Sequence, residues 1–125
     1  MEEFNFDFRA VKNGAPIVTL SSFGIAFNEL SRKYLGFPEE ICMGYDSQKK
    51  AVGIKPYQGE DNLPRFKFES KARNGWIRIG CKEFMRYLAR ETNLDFLTKG
   101  LQFSPEMSSD KKLLIIIVDE QHLNK

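Results

Sequence analysis

Phe4, Phe6 and Phe8 alternate with polar residues at the start of the chain, and that period of two predicts a half-buried strand over Phe4–Val11. Lys12-Asn13-Gly14 is a turn signal, because Asn and Gly tolerate positive φ. A β-branched run predicts a strand over Ile17–Ser21, and Ile25-Ala26-Phe27 continues extended after a bend at Gly24. Then the period changes. Phe27, Leu30 and Tyr34 fall three and four apart, on one helical face. Asn28 suits the N-cap, Arg32 and Lys33 suit the C-terminal end of the helix dipole, and Gly36 with Pro38 stops the helix. Glu40–Tyr45 and Ala51–Tyr57 predict a hairpin across the polar turn Asp46–Lys50.

Breaker residues make 58–64 an internal linker, and the second half replays the order of the first. Phe66 and Phe68 alternate in a strand, Ala72-Arg73-Asn74-Gly75 turns, and Trp76–Gly80 runs extended with Ile77 and Ile79 on one face. Phe84 and Leu88 predict a longer helix from about Lys82. Leu101–Ser104 is a strand, Pro105–Asp110 a turn, and Lys112–Asp119 a last strand whose run LLIIIV suggests burial on both faces. The fold class expected is therefore α+β. Duplicated β-β-α-β-β units, about 14–58 and 63–120, would form an antiparallel sheet or small barrel with two helices, all in one domain over 1–125.

Composition adds an aromatic core, since 11 of the 125 residues are Phe. No apolar run approaches the roughly 20 residues a membrane helix needs. The acidic start MEEFNFDF lacks the basic n-region of a signal peptide, so a cytoplasmic protein with reduced, buried Cys42 and Cys81 is expected. The net charge of +2 is mild but uneven. Residues 63–91 hold eight bases against three acids, while the first eight residues hold three acids and no base. A local basic region steers polyanions even when the whole chain is near neutral.

The stretch Gly24-Ile25-Ala26-Phe27, then Arg32 and Leu35-Gly36, resembles the swapped-hairpin repeat of the AbrB/SpoVT transition-state regulators. That repeat joins an apolar-x-apolar strand to a short helix with an arginine, a Leu-Gly stop and a hairpin. The resemblance covers Phe23–Tyr57 and, in outline, Gly75–Val118; the related MraZ proteins also carry two repeats in one chain. Asn28 stands where the family usually has proline, Phe23-Gly24 where Gly-Arg or Gly-Lys is usual, and neither helix carries the Asp-x-x-x-Arg motif of MraZ. The resemblance implies a DNA-binding transcription regulator that presents basic strands and loops to the duplex.

Enzyme signatures are sparse, and no catalysis is expected. His122, the only histidine, falls near the C-terminus. Cys81 begins a helix, where a dipole and Lys82 can favour a thiolate, but no histidine base accompanies it. No metal-ligand spacing and no phosphate loop are present, so no metal or cofactor is expected. Nucleic-acid binding has more behind it. Arg65, Lys67, Lys71, Arg73 and Arg78 fall on two strands expected to be adjacent and on their turn. Trp76 serves as a stacking or wedge residue and Arg86 adds a helix contact, to DNA or to single-stranded nucleic acid. The alternative is a protein–protein interaction module or inhibitor of the kind carried by phages and mobile elements, with no nucleic-acid binding. A homodimer through an exposed strand edge is compatible with either.

Overall fold

The computed structural model describes residues 15–59, 62–69, 72–110 and 113–123. The strand expected over Phe4–Val11 lies outside them, as do Glu60, Asp61 and Lys71. The order along the chain is β1 (Val18–Leu20), β2 (Gly24–Phe27), α1 (Glu29–Tyr34), β3 (Glu40–Asp46), β4 (Ala51–Pro56) and β5 (Phe66–Lys67). It continues with β6 (Ile77–Gly80), α2 (Lys82–Thr92), β7 (Leu101–Phe103), β8 (Glu106–Met107) and β9 (Leu114–Ile117), and ends in a 3-10 turn at Glu120–His122.

The strand-to-helix switch after β2 is made by Asn28. Its Oδ1 accepts from the Ser31 backbone N–H at 3.0 Å, capping α1, and from the Ile17 N–H at 3.0 Å. Its Nδ2 donates to the Ala15 carbonyl at 2.7 Å, so one side chain fixes the helix start to the strand beside it. At the other end Gly36 takes φ 79°, the left-handed exit expected of it. The turn before β6 is a two-residue hairpin: Asn74 and Gly75 both have positive φ, and Arg73 pairs with Trp76 across it.

The strands form two antiparallel sheets, in the orders β6-β2-β1-β7 and β5-β3-β4-β9-β8. They are not closed into a barrel. Val18, Leu20, Ile25, Phe27, Ile77, Ile79 and Phe103 of the four-stranded sheet share one core with Ile41, Val52, Ile54, Leu114 and Ile116 of the five-stranded sheet. The Phe27 and Phe68 rings meet edge to face at 5.1 Å in that core. Helix α2 adds Met85 and Leu88, and Lys50 Nζ donates to the Glu91 carbonyl near its C-terminal end. The core is thus the set of inward positions of period-two strands, closed by one amphipathic helix face.

Three expectations change. The expected turn 105–110 contains β8, which pairs with β9. Strand β9 is central, between β4 and β8, but it is not buried on both faces: Leu114, Ile116 and Val118 are buried, whereas Ile115 and Ile117 are half-buried on the outer face. The halves also differ in their pairing. β1 and β2 form a hairpin, while β5 and β6 lie in different sheets. Pairing between corresponding strands does occur, with Ile25 opposite Ile79 and Phe27 opposite Ile77, but the halves are not equivalent units.

Candidate nucleic-acid interface

The outer face of the four-stranded sheet is set by register. Arg78, Ala26, Thr19 and Gln102 sit side by side across β6, β2, β1 and β7. Gly80 and Gly24 form the next outward pair; the Phe23 ring covers Gly80, while Gly24 lies in the floor of a groove. A Cβ on Gly24 would lie 1.8 Å from the Ile79 carbonyl oxygen, so β2 and β6 approach too closely for any other residue. Phe23, 48% exposed, closes one side: its Cζ lies 3.1 Å from where a Cβ on Gly80 would stand. Its carbonyl accepts from the Cys81 N–H at 3.0 Å, which ties the Phe23 backbone to β6. The result is a groove of about 470 Å³ lined by Thr19, Ser21, Phe23, Ala26, Trp76, Arg78 and Gln102, with Gly24 and Ile25 in its floor.

Of the basic and aromatic residues singled out in the sequence, Arg73, Trp76 and Arg78 come together. Trp76 and Arg78 are two apart on an extended segment and share a face. Arg73 is directly opposite Trp76, with reciprocal backbone bonds of 2.8 and 3.0 Å, and opposite residues point to the same side. Arg73 and Arg78 are exposed and have no side-chain partner among the described residues. Two unengaged guanidinium groups thus flank a half-buried indole.

The remaining candidates lie elsewhere. β5 pairs with β3 through Glu40–Lys67 and Ile41–Phe66, in the other sheet, so the expectation of two adjacent basic strands is corrected. The diversion follows from Phe68, which is buried against Phe27 and draws the chain across the core before β6 begins. Arg65 is engaged locally. Its Nε lies 3.2 Å from Glu40, its guanidinium stacks 5.1 Å from the Tyr57 ring centroid, and Nη1 donates to the Tyr57 hydroxyl at 3.2 Å. The Tyr57 hydrogen bond, with Glu40 adding to it, raises the Arg65 pKa further. Lys67 is exposed on the edge strand β5, and Arg86 on α2 pairs with Glu83 at 2.7 Å. Lys71 lies outside the described residues.

Sequence reasoning missed Thr19, Ser21, Phe23 and Gln102, because only strand pairing joins the stretch 19–23 to Gln102 and to Trp76 and Arg78. Phe23 left a signal: a large apolar residue directly before a glycine bend, with no periodic face to bury it. The two residues weighed for catalysis, Cys81 and His122, lie in different surroundings. Burial pushes the Cys81 thiol up to about 11, and its Sγ donates to the Ile79 carbonyl at 3.7 Å. His122 is exposed and joined to Asp119, which caps the 3-10 turn. Among the described residues no cluster of His, Cys, Asp and Glu is placed to hold a metal, and no helix is long and apolar enough to cross a membrane. Comparison with known protein families, curated proteins and solved structures gave no match.

Proposed function

We propose that the protein is a non-catalytic nucleic-acid-binding protein that takes single-stranded segments on the outer face of its four-stranded sheet. The observation that carries the reading is the convergence of Trp76, Phe23 and Arg78 on one groove, with Arg73 opposite Trp76 beside it, both arginines lacking a side-chain partner among the described residues. Bases expose π-faces that stack on aromatic rings whatever their sequence, and each such stack contributes roughly 1–3 kcal/mol. The guanidinium groups supply phosphate contacts, and Gln102, Thr19 and Ser21 supply donors and acceptors for base edges. A regulator's role, implied by the AbrB/SpoVT resemblance, calls for duplex binding, and the same experiment separates the two modes.

The chain contains one tryptophan, so its intrinsic fluorescence reports on this groove directly. A short single-stranded oligonucleotide should quench Trp76 emission at low salt, and labelled-oligonucleotide anisotropy should give the same affinity. If Arg73 and Arg78 are the two phosphate contacts, the slope of log K against log salt should be about −1.4, falling to about −0.7 in Arg78→Gln. Trp76→Ala should weaken binding about tenfold or more by anisotropy. No binding at about 50 mM salt and micromolar protein, or binding untouched by both substitutions, overturns the site. Preference for duplex over single strands overturns the stacking mode and favours the regulator reading.

A further inference from the structure

The outer face of the five-stranded sheet carries a second concavity, a trough of about 690 Å³. Its shape follows from which residues alternate outward. Gly44 on β3 sits opposite Gly53 on β4, and Ala51 is the next outward position of β4. No atom lies within 4 Å of where a Cβ on Gly44 would stand, so these strands present a flat furrow. On β9 the outward residues are Ile115, opposite Gly53, and Ile117, opposite Ala51; both are half-buried and stand as a branched ridge beside the furrow. Four charged residues line the trough: Asp46, Lys49 and Lys55 on the furrow side, and Glu106 on β8, beyond the ridge and opposite Ile115. The Asp46 carboxylate is turned onto the Gln48 and Lys49 backbone N–H groups, which leaves Lys55 and Glu106 as the charges free to reach outward. Neither has an ionic partner among the described residues.

We propose that this face is a self-association surface that docks a second copy of the chain about a two-fold axis parallel to the strands, between β4 and β9. Such an axis exchanges ridge and furrow. Ile115 of one copy lands over Gly53 of the other, and Ile117 over Ala51. Sheets stacked face to face run about 10 Å apart, and strips of branched and absent side chains let them interdigitate. The same operation carries β8 over β3, so Glu106 of one copy lands over Gly44 of the other, diagonal to Lys55 and within its side-chain reach, while the nearby Asp46 carboxylate stays folded onto its own turn; the contact occurs twice per dimer. A small apolar ligand would fill the furrow but would leave the ridge and the opposed placement of the two charges without a role. The four-stranded sheet presents its groove on the opposite side of the sandwich, so the dimer leaves it open. The two proposals fail independently.

Sedimentation of the full chain over about 1 to 200 µM tests the surface, since a modest interface dissociates in that range. The expected result is a concentration-dependent dimer that Ile115→Glu renders monomeric, with circular dichroism showing the fold retained. Glu106→Lys and Lys55→Glu should each weaken dimerisation about tenfold, and the two together should restore it to within about threefold of the natural chain. Glu106 is exposed, so the charge exchange decides the matter even where Ile115→Glu fails to fold. A monomer at the highest concentration overturns the proposal, as does a dimer indifferent to these substitutions. Failure of the charge exchange to restore association overturns the axis.

Discussion

Removing Glu69 should destabilise this protein more than removing the arginine it pairs with. Arg32 on α1 is 5% exposed and is the one charged residue buried among the described residues. Its Nη1 donates to both carboxylate oxygens of Glu69, at 3.2 and 3.1 Å. Phe37 lies 5.8 Å from the guanidinium carbon, and the Phe37 backbone adopts φ 52°, a left-handed conformation unfavourable to a phenylalanine, to bring its ring there. Arg32 Nε has no hydrogen-bond partner among the described residues. Glu69→Ala therefore leaves a buried cation with no counter-charge, and breaking a fully buried pair in this way costs about 3–5 kcal/mol. The Glu69 side chain is 29% exposed, so water reaches the orphaned group and the cost falls to about 2–3 kcal/mol. Arg32→Met removes the buried charge altogether and frees a carboxylate that turns to solvent, for about 1 kcal/mol. Unfolding entropy near the midpoint is about 2.1 cal/mol/K per residue, or about 0.26 kcal/mol/K for 125 residues. The expected falls in Tm are thus about 8–11 °C for Glu69→Ala and about 4 °C for Arg32→Met. Calorimetry measures both, and urea titration with an unchanged m-value confirms that the folded state is the one affected. An Arg32→Met loss equal to or larger than that of Glu69→Ala would refute the argument that the orphaned charge dominates.

Three other consequences follow from single contacts. Gly24→Ala drives a Cβ into the Ile79 carbonyl oxygen, 1.8 Å away, so the β2–β6 pairing cannot form as it stands; loss of more than about 3 kcal/mol by urea titration is expected, and a near-neutral effect would exclude this close approach. The Cys81 thiol, pushed up to about 11 by burial, should react with a disulfide reagent at pH 8 about a hundredfold more slowly in the native than in the urea-unfolded chain, and equal rates would show the site to be open. The His122 hydrogen bond, more than any other contact, holds the Asp119 carboxyl below the usual carboxylate range; a depressed folded-state value contributes stability above the unfolded value of about 4, lost as pH falls through the depressed one, so the protection of the amides at 120–123, with exchange corrected for its intrinsic rate at each pH, should fall on acidification through that window and not between pH 5 and 6.

The sequence was legible wherever a local rule governed the outcome. Asn28 starts a helix because its short amide oxygen reaches the Ser31 N–H, and Asn74-Gly75 turns because both residues accept positive φ. What stayed illegible was decided by partners distant in sequence. Nothing around Phe66 announces that β5 will pair with Glu40–Ile41, yet that choice removes Arg65 and Lys67 from the face that Arg73, Trp76 and Arg78 share. Nothing in LLIIIV says that Ile115 and Ile117 will keep one side half-open, because the run itself is compatible with burial on both faces. The two glycines opposite that ridge, Gly44 and Gly53, are unremarkable alone and become a furrow only in register. Each candidate surface has a pair of outward glycines in register beside or within it: Gly24 with Gly80 in one sheet, Gly44 with Gly53 in the other. A strand's inward positions are selected for the core, but its outward glycines weaken it without filling anything, at about 0.5–1 kcal/mol each relative to alanine. Gly24 is accounted for by the close approach of the Ile79 carbonyl, and Gly80 by the Phe23 ring above it. Gly44 and Gly53 meet no such crowding within the chain, which is the physical reason to look for what they accommodate outside it.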